Sequence, residues 1–226
     1  MTTSGTAAFN MDLTEIVEEA FERAGSELRS GYDLRTARRS LNLLFADWAN
    51  RGVNMWTFEQ GSIPLVQGTA TYDLPADTVD LLEQVVRTTT SGTQSDLTMS
   101  RISVSTYSSI PTKTSQGRPV QVLVNRTITP SVTVWPVPDQ SSTYTLIYWR
   151  MRRIQDAGNG SNTMDVPFRF IPCMVAGLAY YVAMKVPGGI DRLPILKQQY
   201  DEAWQLAADE DREKASVRFV PRSMHI

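Results

Sequence analysis

The chain holds one cysteine, Cys173, and one histidine, His225. A Ser-His-Asp triad, a Cys-His pair or a multi-histidine metal site would therefore have to use the next-to-last residue, where chain ends hold geometry poorly. One thiol allows no intramolecular disulfide and no cysteine zinc cage. Carboxylates remain as candidates for acid–base work. Glycoside hydrolysis needs two of them roughly 5–9.5 Å apart across a sugar cleft. Glu18, Glu19, Glu22 and Glu27 fall on the polar face of the first amphipathic segment, and Asp209, Glu210, Asp211 and Glu213 crowd the end of the last. Such runs read as solvated helix faces. Asp80 and Glu83 form the close pair of the strand-rich middle, with nothing beside them to mark a cleft. No Asp-x-Asp-x-Asp-Gly loop occurs, and the Gly158-Asn-Gly160 and Pro187-Gly-Gly189 turns lack the Lys-Ser/Thr of a phosphate loop. The expectation is a chain without catalytic, metal or cofactor residues.

Basic residues cluster twice, as Arg35, Arg38 and Arg39 and as Arg150, Arg152 and Arg153, the second beside Tyr148 and Trp149. Arginine with aromatic residues serves both single-stranded nucleic acid and protein interfaces. In a strand, Arg150 and Arg152 share a face with Tyr148, and Arg153 shares the face of Trp149. That split argues against one nucleic-acid platform, so Arg150, Arg152, Arg153 and Trp149 stand as interface candidates. Cys173 lies in an apolar stretch and reads as an inert core residue.

These residues must be positioned by a chain of 226 residues, 42% apolar and 20% charged, with a net charge of −2. A packed core is affordable, and general attraction to nucleic acid or anionic lipid is not expected. Met1–Ala8 lacks the charged and apolar regions of a signal peptide, and Phe168–Val186 is interrupted by Arg169, Pro172 and Lys185. A soluble, cytoplasmically made protein is the expectation.

Apolar residues at helical spacing predict a helix over 12–29, with Asp12 and Glu15 as a capping box and Gly25 able to end it early. After a Gly-Tyr-Asp turn at 31–33, a second helix is predicted over 34–51. Residues 56–154 alternate as strands, with Thr88–Asp96 and Thr112–Arg118 as exposed loops. Helices return over 167–186 and 191–213. Trp48 and Trp204 are expected in their core. The expected fold is α+β: an antiparallel four-helix bundle of N- and C-terminal helix hairpins, an inserted β-rich region and an extended arm. The boundaries are 1–54, 55–165, 166–214 and 215–226. Val217, Arg218, Phe219, Val220, Pro221 and Arg222 give the arm its sticky, strand-like character.

Several sequence words carry a resemblance. They are Glu18-Glu-Ala-Phe-Glu-Arg-Ala-Gly25, Ala37-Arg-Arg-Ser-Leu-Asn42, Trp48-Ala-Asn-Arg-Gly52 with Trp56, and Leu65-Val-Gln-Gly-Thr-Ala-Thr-Tyr-Asp-Leu-Pro75. Later come Tyr148-Trp-Arg-Met-Arg-Arg-Ile-Gln-Asp156, Pro167-Phe-Arg-Phe-Ile-Pro172, Gly177-Leu-Ala179, Tyr200-Asp-Glu-Ala-Trp204 and Glu210-Asp-Arg212. In this order, over nearly the whole chain, the sequence resembles the head-to-tail adaptor proteins of tailed phages. The resemblance implies a structural protein of the virion neck. It implies a dodecameric homo-oligomeric ring beneath the portal protein, helices around the ring, and a β region toward a tail nozzle or other tail protein. It also implies a C-terminal arm bound to portal and a channel that passes DNA without sequence-specific binding. Some relatives, the tail accessory factors of short-tailed phages, are described as peptidoglycan hydrolases. That activity is one alternative, and a DNA-binding packaging factor is another.

Overall fold

The computed structural model describes residues 11–52, 55–90 and 92–211, together with Gly5. These hold α1 (Leu13–Ala24), α2 (Gly31–Arg51), β1 (Phe58–Pro64), β2 (Thr71–Asp73), β3 (Thr78–Thr90), β4 (Thr93–Thr98), β5 (Ser100–Arg101) and α3 (Val104–Ser108). They continue with β6 (Gln121–Asn125), β7 (Ser131–Trp135), β8 (Tyr144–Arg152), α4 (Ile171–Ala183) and α5 (Leu193–Glu210). The chain divides into two compact units, one from Met1–Trp56 with Gln155–Ile226 and the other Thr57–Ile154.

The expected four-helix bundle of two hairpins with an inserted β region does not form. The described residues contain five α-helices and eight strands in two four-stranded sheets, a mixed α+β arrangement. The physical reason lies in α4. Its residues Cys173–Ala179 are all buried, and a helix that is apolar all round needs partners on every side. Accordingly α1, α2 and α5 each pack on α4, and α1 and α2 touch each other little. Residues 215–226, the expected arm, lie outside the described residues.

Local chemistry sets the helix ends. Asp12 and Glu15 close a capping box on α1, and Gly25 ends it in the left-handed conformation at φ 82°. A second capping box, Ser30 with Asp33, starts α2 at Gly31, so the segment expected as a turn is its first turn. Around α4 the helical unit packs aromatic rings. Trp48 and Phe170 lie 5.5 Å apart, Trp48 and Trp204 5.4 Å, and Trp56 and Phe170 4.6 Å. The Trp48 indole N–H donates to the Tyr200 hydroxyl at 3.0 Å, so its one polar atom is satisfied in the core.

In the second unit, one sheet has the order β1-β8-β3-β4 and the other β2-β7-β6-β5. Leu81, Val86, Leu146 and Tyr148 of the first sheet and Val122, Val132 and Val134 of the second share one apolar cluster. Of the stretch 88–96, expected as a loop, Thr88–Thr90 lie in β3 and Thr93–Asp96 in β4, paired antiparallel with Arg87 opposite Asp96. All six residues of β4 are exposed, so no alternation of apolar and polar residues betrays it.

Candidate interaction surface

β8 is the central strand of its sheet, paired with β1 on one side and β3 on the other. The alternation of a strand turns Leu146, Tyr148 and Arg150 to one face and Trp149 to the other. Arg150 is only 9% exposed. The register sets Glu59 of β1 directly opposite it. Its Nη1 donates to Asp77 Oδ1 at 2.6 Å and to Thr78 Oγ1 at 3.0 Å, and its Nη2 to Glu59 Oε2 at 2.8 Å. Arg152 Nε donates to the other oxygen of Glu59 at 2.6 Å. Glu59 thus bridges two arginines, and Arg150 bridges two carboxylates. The hydrogen bond from Arg150 holds the Asp77 carboxyl below its ordinary range, against the upward push of desolvation.

The four interface candidates of β8 and its end therefore separate. Arg150 and Arg152 are engaged within the sheet. Trp149 stays 46% exposed on the opposite face. Arg153 is exposed, and its Nη2 donates to the Ala76 carbonyl at 2.5 Å. Gly61 makes room on the inner face, since a Cβ there would lie 2.4 Å from Tyr148 Cζ.

Several of the carboxylate candidates are engaged as well. Asp80 is gripped by Arg101 at 2.9 Å and Arg126 at 3.4 Å, within a sheet-unit ion cluster. Glu19 pairs with Arg23 at 2.7 Å, and Glu27 with Arg29 at 3.6 Å. Asp211, expected at the solvated end of the last helix, is buried and paired with Arg169 ahead of α4. Its signal in the sequence was Arg169 itself, a cation in an apolar run that needs a carboxylate once buried. Among the described residues, no group of three or more His, Cys, Asp or Glu is placed to hold a metal ion, and no helix is long and apolar enough to cross a membrane. Burial pushes the Cys173 thiol up to about 12, which leaves it protonated and unreactive. Val217–Arg222 lie outside the described residues.

A family model described as SU10 adaptor protein matches residues 11–222. The chain belongs to the SU10 adaptor protein family. No curated protein matches it. Membership is consistent with a phage head-to-tail adaptor and makes the chain a structural phage protein.

For an SU10 adaptor family member, surfaces that meet other proteins are the site. The helical unit has a groove beside α2. It measures about 630 Å³ and is lined by Phe21, Tyr32, Arg39, Leu43, Val182 and Lys185, among others. Tyr32 and Leu43 are 64% and 60% exposed. Of the α2 arginines, Arg38 donates to the Gly158 carbonyl at 3.0 Å and Arg39 to Thr36 Oγ1 at 3.2 Å. Arg35 and Arg39 have no carboxylate partner among the described residues.

Proposed function

We propose that this SU10 adaptor family member closes into a dodecameric ring between portal and tail in the virion neck, with DNA passing through its bore. The match over residues 11–222 carries the reading. The engagement of Arg150, Arg152 and Asp80 in intramolecular ion pairs fits it, because those groups serve the subunit's own rigidity. A net charge of −2 suits a channel that DNA traverses without sticking. The segment 215–226 is the portal-binding arm in this reading, with Val217, Arg218, Phe219, Val220, Pro221 and Arg222 adding main-chain and side-chain contacts to the portal. Trp149 and Arg153 are its exposed interface residues on the sheet unit.

Electron microscopy of the chain mixed with its portal tests this, with rings seated on portal as the expected result. Deleting residues 215–226 should abolish seating and leave the circular dichroism spectrum unchanged. Free, unattached subunits in every field, or seating unaffected by the deletion, count against the reading and the arm respectively.

A further inference from the structure

Resting on that ring reading, we infer that neighbouring copies join by packing the outer stripe of α2 on one subunit against the outer stripe of α5 on the next, in parallel register. Tyr32, Arg39 and Leu43 of α2 meet Ile195, Glu202 and Leu206 of α5.

A ring of identical subunits is built from heterologous contacts, so each copy must carry two different, complementary faces. The helical unit has two such faces. On α2, Tyr32 and Leu43 are 64% and 60% exposed, and on α5, Ile195 and Leu206 are 58% and 74% exposed. Each pair is eleven residues apart, 32 to 43 and 195 to 206. Eleven residues bring a helix back to nearly the same side after about three turns, or about 16 Å. Each stripe therefore has an apolar knob at either end with the same separation.

The charge between the knobs has opposite sign. Arg35 and Arg39 lie between Tyr32 and Leu43 and have no carboxylate partner among the described residues. Glu202 lies between Ile195 and Leu206. Its one described contact is an accepted hydrogen bond from Gln198 at 2.8 Å, and it has no cationic partner among the described residues. A single offset of 163 pairs Tyr32 with Ile195, Arg39 with Glu202 and Leu43 with Leu206. An antiparallel pairing that keeps both knobs in contact would set Thr36 against Glu202 and Arg39 against Gln199, and the opposite charges would miss.

The direction of the helices agrees with the parallel choice. Ser40, Leu44 and Trp48 of α2 meet Lys185, Gly177 and Phe170 in turn, so α2 runs antiparallel to α4. Tyr200 meets Gly177 and Trp204 meets Phe170, so α5 also runs antiparallel to α4. Helices α2 and α5 thus run the same way. Rotation about an axis near that direction brings the next copy's α5 alongside α2 still parallel. The groove beside α2, floored by Phe21 and Val182 and edged by Arg39 and Lys185, receives the acidic stripe. Asp33 also lines it, with its carboxylate occupied in the capping box of α2.

The test uses the full-length chain incorporated into virions, carrying Leu43→Cys and Leu206→Cys together. A short bismaleimide should convert it into a ladder of covalent multimers, while each single variant gives none. Cys173 is buried and does not compete. In solution, Arg39→Glu or Glu202→Arg alone should weaken self-association about tenfold, and the two together should recover most of it. If an amine-reactive cross-linker yields multimers but the cysteine pair does not, and both charge reversals assemble normally, the copies meet through other faces. The ring reading then stands and this interface falls. If virions contain the chain but neither reagent links copies, the ring reading fails and takes the interface with it.

Discussion

The two units of this chain hold themselves together by different means. The helical unit concentrates aromatic rings around α4, and Leu13, Ala37, Leu41, Leu44, Trp48, Phe170, Leu178 and Ala179 are each 0% exposed. Its core is mostly apolar, with the Trp48 indole N–H donating to the Tyr200 hydroxyl and one buried carboxylate, Asp211, paired with Arg169. The sheet unit has an apolar cluster too, but beside it a buried guanidinium is clamped by two carboxylates that remain partly in water, Glu59 at 42% and Asp77 at 44% exposure. Close packing charges the full cost of a void when a side chain is cut back. An ion cluster with wet partners yields by degrees, because its carboxylates can turn to solvent. The first unit should thus answer to volume and the second to charge.

The largest effect expected is Trp48→Ala. The side chain is fully buried and meets Phe45, Phe170 and Trp204, so its removal should cost about 3–5 kcal/mol in denaturant unfolding. Trp204, also expected in the core, is only half-buried, with Arg51 4.6 Å above its ring. Trp204→Ala should cost roughly half as much. Equal losses for the two would mean that the aromatic cluster is uniformly buried, contrary to this picture.

Trp48 was legible because it sits at helical spacing with Leu41, Leu44 and Phe45, and α1 because its capping box and Gly25 are adjacent in sequence. What could not be read depends on distant pairing. The fate of Arg150 is decided by Glu59, 91 residues away, through a strand register that the sequence does not print. The burial of Asp211 depends on Arg169, 42 residues earlier. β4 and α3 have no buried residue and so left no periodic trace. The four-helix expectation failed because apolar faces on four segments say that helices pack, not which one becomes the hub. Of the interface candidates, the chemistry of Arg150 and Arg152 was visible, but not the Glu59 and Asp77 carboxylates that engage it.

A middle-sized effect qualifies the contrast at two glycines, because overpacking at Gly61 makes the sheet unit answer to volume as well. A Cβ at Gly61 would strike the Tyr148 ring at 2.4–2.6 Å, with no helix propensity gained in return. Gly61→Ala should cost about 2 kcal/mol through overpacking. At Gly177 the nearest atoms, 2.9 Å away, are Leu44 Cδ2 and Tyr200 Cε2, and alanine improves the helix by about 1 kcal/mol. Gly177→Ala should therefore leave stability within about 1 kcal/mol of wild type. Arg150→Ala belongs beside Gly61→Ala. It strips the clamp from two carboxylates, but they are partly hydrated, and a loss of about 2 kcal/mol is expected instead of the larger figure for a fully buried pair. High salt should shrink that difference and leave the loss from Trp48→Ala untouched.

The smallest effect is one of pH, expected at Asp77 of the sheet unit. The Arg150 hydrogen bond lowers the Asp77 carboxyl in the folded state below its ordinary 3.8. A carboxylate lowered on folding binds fewer protons folded than unfolded. Its stabilisation is therefore complete above the unfolded value and is lost as pH falls through the lowered folded one. Stability should decline on the acid side of pH 3.8, and Asp77→Asn should flatten that part of the profile while lowering stability at neutral pH. Equilibrium unfolding followed across the acid range checks the sign. An acid limb unchanged in Asp77→Asn would place the proton uptake on other carboxylates and leave the Arg150 clamp without electrostatic consequence.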